Sequence, residues 1–321
     1  MQKGSTMNDV NVEQYNPEEL GKLFDKKWWG RDDVFPNLYI DLIEKVKDIN
    51  FKVSFEPPTL INRLVIACNY LKNTLPKGAK VLDIACGNGL SSNCLMTLGF
   101  DVKAFDVASV AIEKSQDLAR QLGHDPANFA VRNVGDMADL ASQSYDAVVA
   151  IGLFRYLDAE TADSAYKSIY RVLKSRGKFL VVHVNILFDA FSLNNESLKF
   201  WADIIDGYTV GASTLFNGKT TLEALTEDIK VPERKFVKHS ISSEIKVNSE
   251  NPLTYHEVAS KYSFSLDKIV YPPGHILPPF LESKVDKTAL SEMKRQTRLE
   301  KTEDWRAIFT EHEFLAYLTK K

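Results

Sequence analysis

The sequence predicts an α/β protein built on a mostly parallel sheet, and three observations carry that expectation. Short runs rich in Val, Ile, Leu and Ala alternate with helical stretches of about ten to fifteen residues between 80 and 184. These runs are almost continuously apolar, as strands are when helices cover both faces of a sheet. The first run ends in a glycine-rich turn, and open α/β sheets bind ligands outside the carboxyl ends of their strands.

The elements follow in order. Pro17-Glu18-Glu19-Leu20 places a proline and two acids where a helix starts, and Leu38, Leu42, Ile43 and Val46 recur at helical spacing. Pro57-Pro58 stops that pattern, and Leu60, Leu64, Ala67 and Leu71 mark a second amphipathic helix. Strands are expected over 80–85, 101–106, 129–132, 145–151 and 178–184, with helices over 90–98, 109–122 and 160–174 between them. From 186 to 260 the alternation is lost among scattered aromatics, with a strand read over 236–247 and a helix over 254–262. Strands over 265–271 and 313–318 complete a seven-stranded sheet, separated by a proline-rich loop and a charged helix over about 283–301. The chain then divides into an N-terminal helical segment (1–75, its first dozen or so residues disordered), a core (76–185), an inserted substrate cap (186–262) and a closing strand pair (263–321).

Composition narrows the function. The 321 residues are 44% hydrophobic and 26% charged, enough for a packed core, and the formal net charge of -3 gives no global attraction to nucleic acid. No apolar run is long enough to span a bilayer, and the polar amino terminus lacks a signal peptide's apolar stretch. Cys68, Cys86 and Cys94 do not form a disulfide framework, and no Cys/His cluster has zinc spacing, so no metal is expected. A cytoplasmic enzyme acting on a small molecule fits best, with a homodimer left open.

The densest chemical signal is Val81-Leu82-Asp83-Ile84-Ala85-Cys86-Gly87-Asn88-Gly89. A dinucleotide site would prefer G-x-G-x-x-G, but Ser92 stands where the third glycine would be. An acid four residues before the first glycine would repel a pyrophosphate and favour a cationic amino-acid moiety.

Asp83-x-x-x-Gly87-x-Gly89 resembles motif I of class I S-adenosylmethionine-dependent methyltransferases, which have a Rossmann-like fold with an antiparallel last strand. The resemblance assigns Asp83, Ala85, Gly87, Asn88 and Gly89 to the methionine moiety of S-adenosylmethionine. It also assigns Asp106 and Val107 to the ribose, Asp136 and Met137 to the adenine, and Ile151 to the segment between cofactor and substrate. Arg171 to Gly177 resembles the family's R-V-L-K-P-G-G turn. Ala85 departs from the glycine that many members carry, and Asp106 could equally serve as an ordinary helix N-cap.

Four residues are candidate catalytic groups: Arg155 and Tyr156 after the fourth strand, His183 at the end of the fifth, and His275 in the loop before the last. An imidazole can deprotonate a hydroxyl during methyl transfer. Asn185 could also face the acceptor, and Trp28, Trp29 and the aromatics of 188–216 could line its pocket, although core packing is their commoner fate. Segments 188–194, 251–254, 275–279 and 304–306 resemble bacterial methyltransferases associated with surface-polysaccharide synthesis, which implies O-methylation of a sugar or polysaccharide precursor. Two alternatives stay open: a nicotinamide-dependent oxidoreductase, and a catalytically inactive methyltransferase-like partner protein.

Overall fold

The computed structural model describes residues 17–29, 43, 45–47, 59–208, 218–231, 247–296 and 305–321. The expected disorder of the first dozen residues, and the expected strand over 236–247 apart from Val247, lie outside these. An eight-stranded sheet organises the chain: β1 (Lys80–Ile84), β2 (Asp101–Asp106), β3 (Phe129–Val131), β4 (Tyr145–Ile151), β5 (Leu173–Asn185), β6 (Ser249–Glu250), β7 (Phe264–Val270) and β8 (Glu313–Lys320). The order is β3-β2-β1-β4-β5-β8-β7, with β6 pairing the end of β5. Strands β1 to β5 run parallel and β8 is antiparallel to both β5 and β7. The last strand is antiparallel as expected. The eighth strand is β6, which adds two residues in parallel beside Val184 and Asn185.

Apolar continuity in the strands is explained by the two cores. Val81, Val102, Val149, Leu180 and Leu315 face one side, where α2 (Thr59–Thr74) and α3 (Leu90–Thr97) bury Leu64, Leu71, Cys94 and Leu95. Leu82, Val148, Phe179, Val181 and Phe314 face the other, against Tyr166 and Ile169 of α5 (Ala159–Val172) and Tyr255 of α9 (Tyr255–Lys261). Alternate residues of one strand thus serve opposite cores, each large side chain contributing about 1.5–3 kcal/mol. Strand β5 starts at Leu173, earlier than the apolar run suggested. Arg176 there takes a left-handed φ of 61°, and a side chain at Gly177 would meet the Lys174 carbonyl at 2.9 Å.

The remaining helices are α1 (Pro17–Phe24), α4 (Ser109–Gln121), α6 (Leu187–Ser192), α7 (Asn195–Tyr208), α8 (Thr221–Asp228), α10 (Pro279–Glu282), α11 (Lys287–Gln296) and α12 (Ala307–Thr310). Among the described residues, no helix is long and apolar enough to cross a membrane. Because β7 runs parallel to β5, the loop after Val270 rises at the same sheet edge as the glycine-rich turn.

Candidate functional site

Strand β1 carries Asp83 fully buried to that edge. Its Oδ2 accepts hydrogen bonds from Ser91 Oγ at 2.5 Å and Ser92 Oγ at 2.6 Å, while Oδ1 is buried with no partner. Burial raises the carboxyl to about 6 against the pull of the two serines. The turn that follows holds three left-handed residues, Ala85 at φ 57°, Gly87 at 54° and Gly89 at 73°. Ala85 therefore takes the conformation that glycine adopts freely, at a cost of about 1–2 kcal/mol. A side chain at Gly89 would collide with Ser115, so this glycine lets α3 close on α4.

Asp106 ends β2 with Oδ2 accepting from the Gly87 amide at 2.8 Å and Oδ1 from the Ala108 amide at 2.9 Å. Burial pushes its carboxyl up, opposed by the amides of Ala108, Gly87 and Val107. It is not the cap of α4. Asp25 takes that role from the N-terminal segment, accepting from the Val110 amide at 3.0 Å and Ser109 Oγ at 3.1 Å. Asp25 opens a π-helical turn, Asp25–Trp29, that continues α1. Gly21 packs against the Val107 carbonyl, the Phe24 ring meets Tyr156 edge-on at 5.1 Å, and a side chain at Gly87 would lie 2.9 Å from the Trp29 ring. The N-terminal segment thus crosses from the end of β2 to the end of β4, over the glycine loop.

Of the adenine-side residues, Asp136 is exposed in a turn. The Met137 side chain is fully buried in the core, so it does not face a ligand as expected; its carbonyl accepts from Arg171 Nη2 at 2.6 Å. Ile151 ends β4 half-buried beside Gly152, whose φ is 85°.

The acceptor-side candidates separate. His183 lies in the interior, 3% exposed, with Nε2 2.8 Å from the Tyr255 hydroxyl and 3.3 Å from that of Tyr166. Burial, helped by the Arg155 charge, holds its imidazole neutral down to about 3. The expectation of a base at this position is corrected: strand alternation turns His183 into the core, and so buried a ring cannot reach an acceptor. Asn185 is structural too, donating to the Ile308 carbonyl at 2.7 Å and the Glu311 carbonyl at 2.8 Å.

Arg155 and Tyr156 occupy a short 3-10 turn, Phe154–Tyr156, at the edge itself. Arg155 Nη1 lies 3.2 Å from Glu313 Oε1, so it is charge-paired and unsuited to proton transfer. Arg63 from α2 meets the same carboxylate through both oxygens at 2.8 and 2.9 Å. Burial opposes ionisation of Glu313, but the two guanidiniums outweigh it and hold the acid at about 2.

His275 stays half-buried in the 271–278 loop, its ring 5.5 Å from Phe188, with Nδ1 2.9 Å from Glu282 Oε2. Burial of Glu282 is likewise outweighed, by this bond, the Ile276 amide and Lys294, which hold it ionised down to about 2. A carboxylate only accepts, so the imidazole donates from Nδ1 and, when neutral, carries its lone pair on Nε2. Glu282, Arg63 and Glu313 were not singled out in the sequence, because nothing local marks them.

The donor-side residues fit S-adenosylmethionine. An unpartnered buried carboxylate oxygen suits a nearby ammonium, and a turn without bulky side chains admits close backbone contact. The same buried acid argues against a nicotinamide dinucleotide's pyrophosphate.

A family model described as a methyltransferase domain matches residues 75–236. The chain is 30% identical over 130 residues to a ubiquinone biosynthesis O-methyltransferase of Xanthomonas axonopodis pv. citri, covering 40% of this chain and 53% of that protein. It is 30% identical over 167 residues to a ubiquinone/menaquinone biosynthesis C-methyltransferase of Haemophilus ducreyi, covering 50% and 62%. The chain thus spans between half and two thirds of the length of these relatives. The crystal structure of the cyclase SpnF aligns with a TM-score of 0.50 at 13% identity, covering 95% of this chain and 97% of that one, a likeness of fold.

Proposed function

The chain belongs to the methyltransferase-domain family, whose methyl donor is S-adenosylmethionine, and on that footing we propose that it methylates a hydroxyl of a small polar acceptor. The donor, when bound, supplies an electrophilic sulfonium methyl. Asp83 and the 85–89 turn would hold its amino-acid end, Asp106 its ribose, and the 133–137 turn would border its base. Asp136 and the Val107 and Ile151 backbones stay in that donor set as proposals.

The choice of oxygen as acceptor rests on one observation, the 2.9 Å pair of His275 and ionised Glu282 at the ligand-binding edge. Glu282 fixes the ring, and Nε2 takes the hydroxyl proton as the new carbon–oxygen bond forms. Tyr156, under Phe24, would help wall off water. Arg155 positions rather than reacts. The relatives named above act by name in quinone biosynthesis, so the sugar reading stands on the resemblance of the 188–194, 251–254, 275–279 and 304–306 segments alone and becomes one arm of the acceptor screen.

Calorimetric titration with S-adenosylmethionine, S-adenosylhomocysteine and NADPH, followed by mass spectrometry of phenolic and sugar acceptors, tests this reading. Binding of the first two and gain of one methyl on a hydroxyl are expected. Binding of NADPH alone would overturn the donor, and methylation that survives unchanged in His275→Ala would remove the base. Donor binding without turnover on any acceptor would favour the inactive-partner alternative.

A further inference from the structure

Glu313 is the one carboxylate that both Arg63 and Arg155 contact among the described residues, and its side chain is 6% exposed. The arginines are themselves mostly covered, at 16% and 15%. Two fixed positive charges on one negative charge leave an excess of one, held away from water. Among the described residues no other carboxylate is ion-paired with either arginine. Burial pushes the Glu311 carboxyl well above its ordinary range, toward the neutral form. Glu250 is raised by burial alone, with no charge contact from either arginine. Arg63 also keeps its Nε buried without a partner.

The cluster lies close to the glycine that follows β4 and to the loop that carries His275. A side chain at Gly152, directly after β4, would have its first atom 3.9 Å from Arg63 Nη2, and Asn62 ties the Pro273 carbonyl, two residues before His275, to the same end of α2. Arg155 sits in the turn directly after β4 and Glu313 pairs with Val184 near the end of β5, so the cluster borders the carboxyl edge of these strands. A partly buried, under-compensated guanidinium pair is a binding site for a carboxylate or phosphate group.

We propose that the Arg63–Arg155 pair receives an anionic group of the methyl acceptor, so that the acceptor is a hydroxylated carboxylate or phosphate ester rather than a neutral molecule. This rests on the methyltransferase reading above. Arg63 Nη1 reaches both oxygens of Glu313 and Arg155 Nη1 shares Oε1, so the one carboxylate pre-aligns both guanidiniums, whose remaining N–H groups would meet the incoming anion.

Inorganic phosphate is the probe, titrated into the full chain saturated with S-adenosylhomocysteine, at ionic strength held constant with chloride. Saturable phosphate binding is expected. Arg155→Gln should weaken it about tenfold while leaving S-adenosylhomocysteine affinity unchanged, since this variant keeps the bidentate Arg63–Glu313 pair and a neutral cluster. Glu313→Gln, if it folds, should tighten phosphate binding. Equal phosphate binding by wild type and Arg155→Gln would mark an adventitious ion and overturn the proposal, as would absence of phosphate binding to the donor-loaded wild type. Loss of S-adenosylhomocysteine affinity in Arg155→Gln, with methylthioadenosine affinity intact, would assign the pair to the donor's own carboxylate instead. A wild type that binds no S-adenosylhomocysteine at all sinks the methyltransferase reading, and this proposal with it.

Discussion

The donor side and the acceptor side of the sheet edge are built in opposite ways. The donor side is centred on one stretch, Asp83 to Val110, in which a strand, a turn and a helix start lie close in sequence, with the 133–137 turn and Ile151 proposed to border it. Its polar groups are under-satisfied: Asp83 keeps an unpartnered oxygen, and burial raises both Asp83 and Asp106. The acceptor side draws on α2, the β4 turn, the 271–282 loop and β8, and two of its acids, Glu313 and Glu282, are held ionised near 2 by cations around them. One side awaits a cation that completes it. The other has its charges fixed in advance, so that a base is aimed and an excess positive charge presented.

That contrast can be broken at four places. The largest effect should come from Glu313→Ala, which leaves two mostly buried guanidiniums facing each other and should destabilise the fold by about 3–5 kcal/mol in chemical denaturation. A small change would mean that the arginines swing out and the acceptor side is not preorganised. Next, His275→Ala should lower kcat about a hundredfold with donor affinity unchanged. Glu282→Gln should follow it in the same direction by a smaller factor, and loss of donor affinity in either would place the loop on the donor side.

Asp83→Asn should act oppositely on binding and stability. The folded-state carboxyl is raised from 3.8 to about 6, so a penalty on folding grows as the pH rises past 3.8, is complete above about 6, and vanishes where both states are protonated. Removing the charge should therefore stabilise the donor-free protein near neutrality by about 3 kcal/mol while weakening S-adenosylmethionine. Thermal melts with and without ligand check both halves, and a destabilised variant would show that the serine hydrogen bonds outweigh the burial. The smallest effect belongs to the strap over the loop: Trp29→Phe should cost about 1 kcal/mol of donor affinity and abolish most of any tryptophan fluorescence change on donor binding. An unaltered fluorescence response would detach the strap from the site.

The same division sets what could be read in the sequence. Strands β1 to β5 and the glycine turn were legible because hydrophobic period, turn residues and acid spacing are local properties. β6 was not, since two residues carry no period of their own and pair only because β5 is already in place. His183 was misread because its role depends on which core its strand face meets, where Tyr166 and Tyr255 wait from distant helices. The Met137 side chain likewise packs in the core, which its loop position alone does not reveal. His275 could be placed in the right loop, but its partner Glu282 and the Arg63–Glu313 pair, 250 residues apart, exist only after the sheet has folded. Trp28 and Trp29 were marked in the sequence as possible lining of the acceptor pocket, but that the Trp29 ring meets Gly87 of the glycine turn depends on Asp25 capping α4 85 residues away, which no local signal carries.

The most direct test is calorimetric titration of S-adenosylhomocysteine into the wild type and Asp83→Asn at pH values on both sides of about 6. The wild type should bind more tightly as the pH rises through that value, because the ligand's ammonium favours the ionised acid, and the climb should be shallower in Asp83→Asn. Binding that is equally tight in both proteins at every pH would contradict a donor site built around the buried carboxylate.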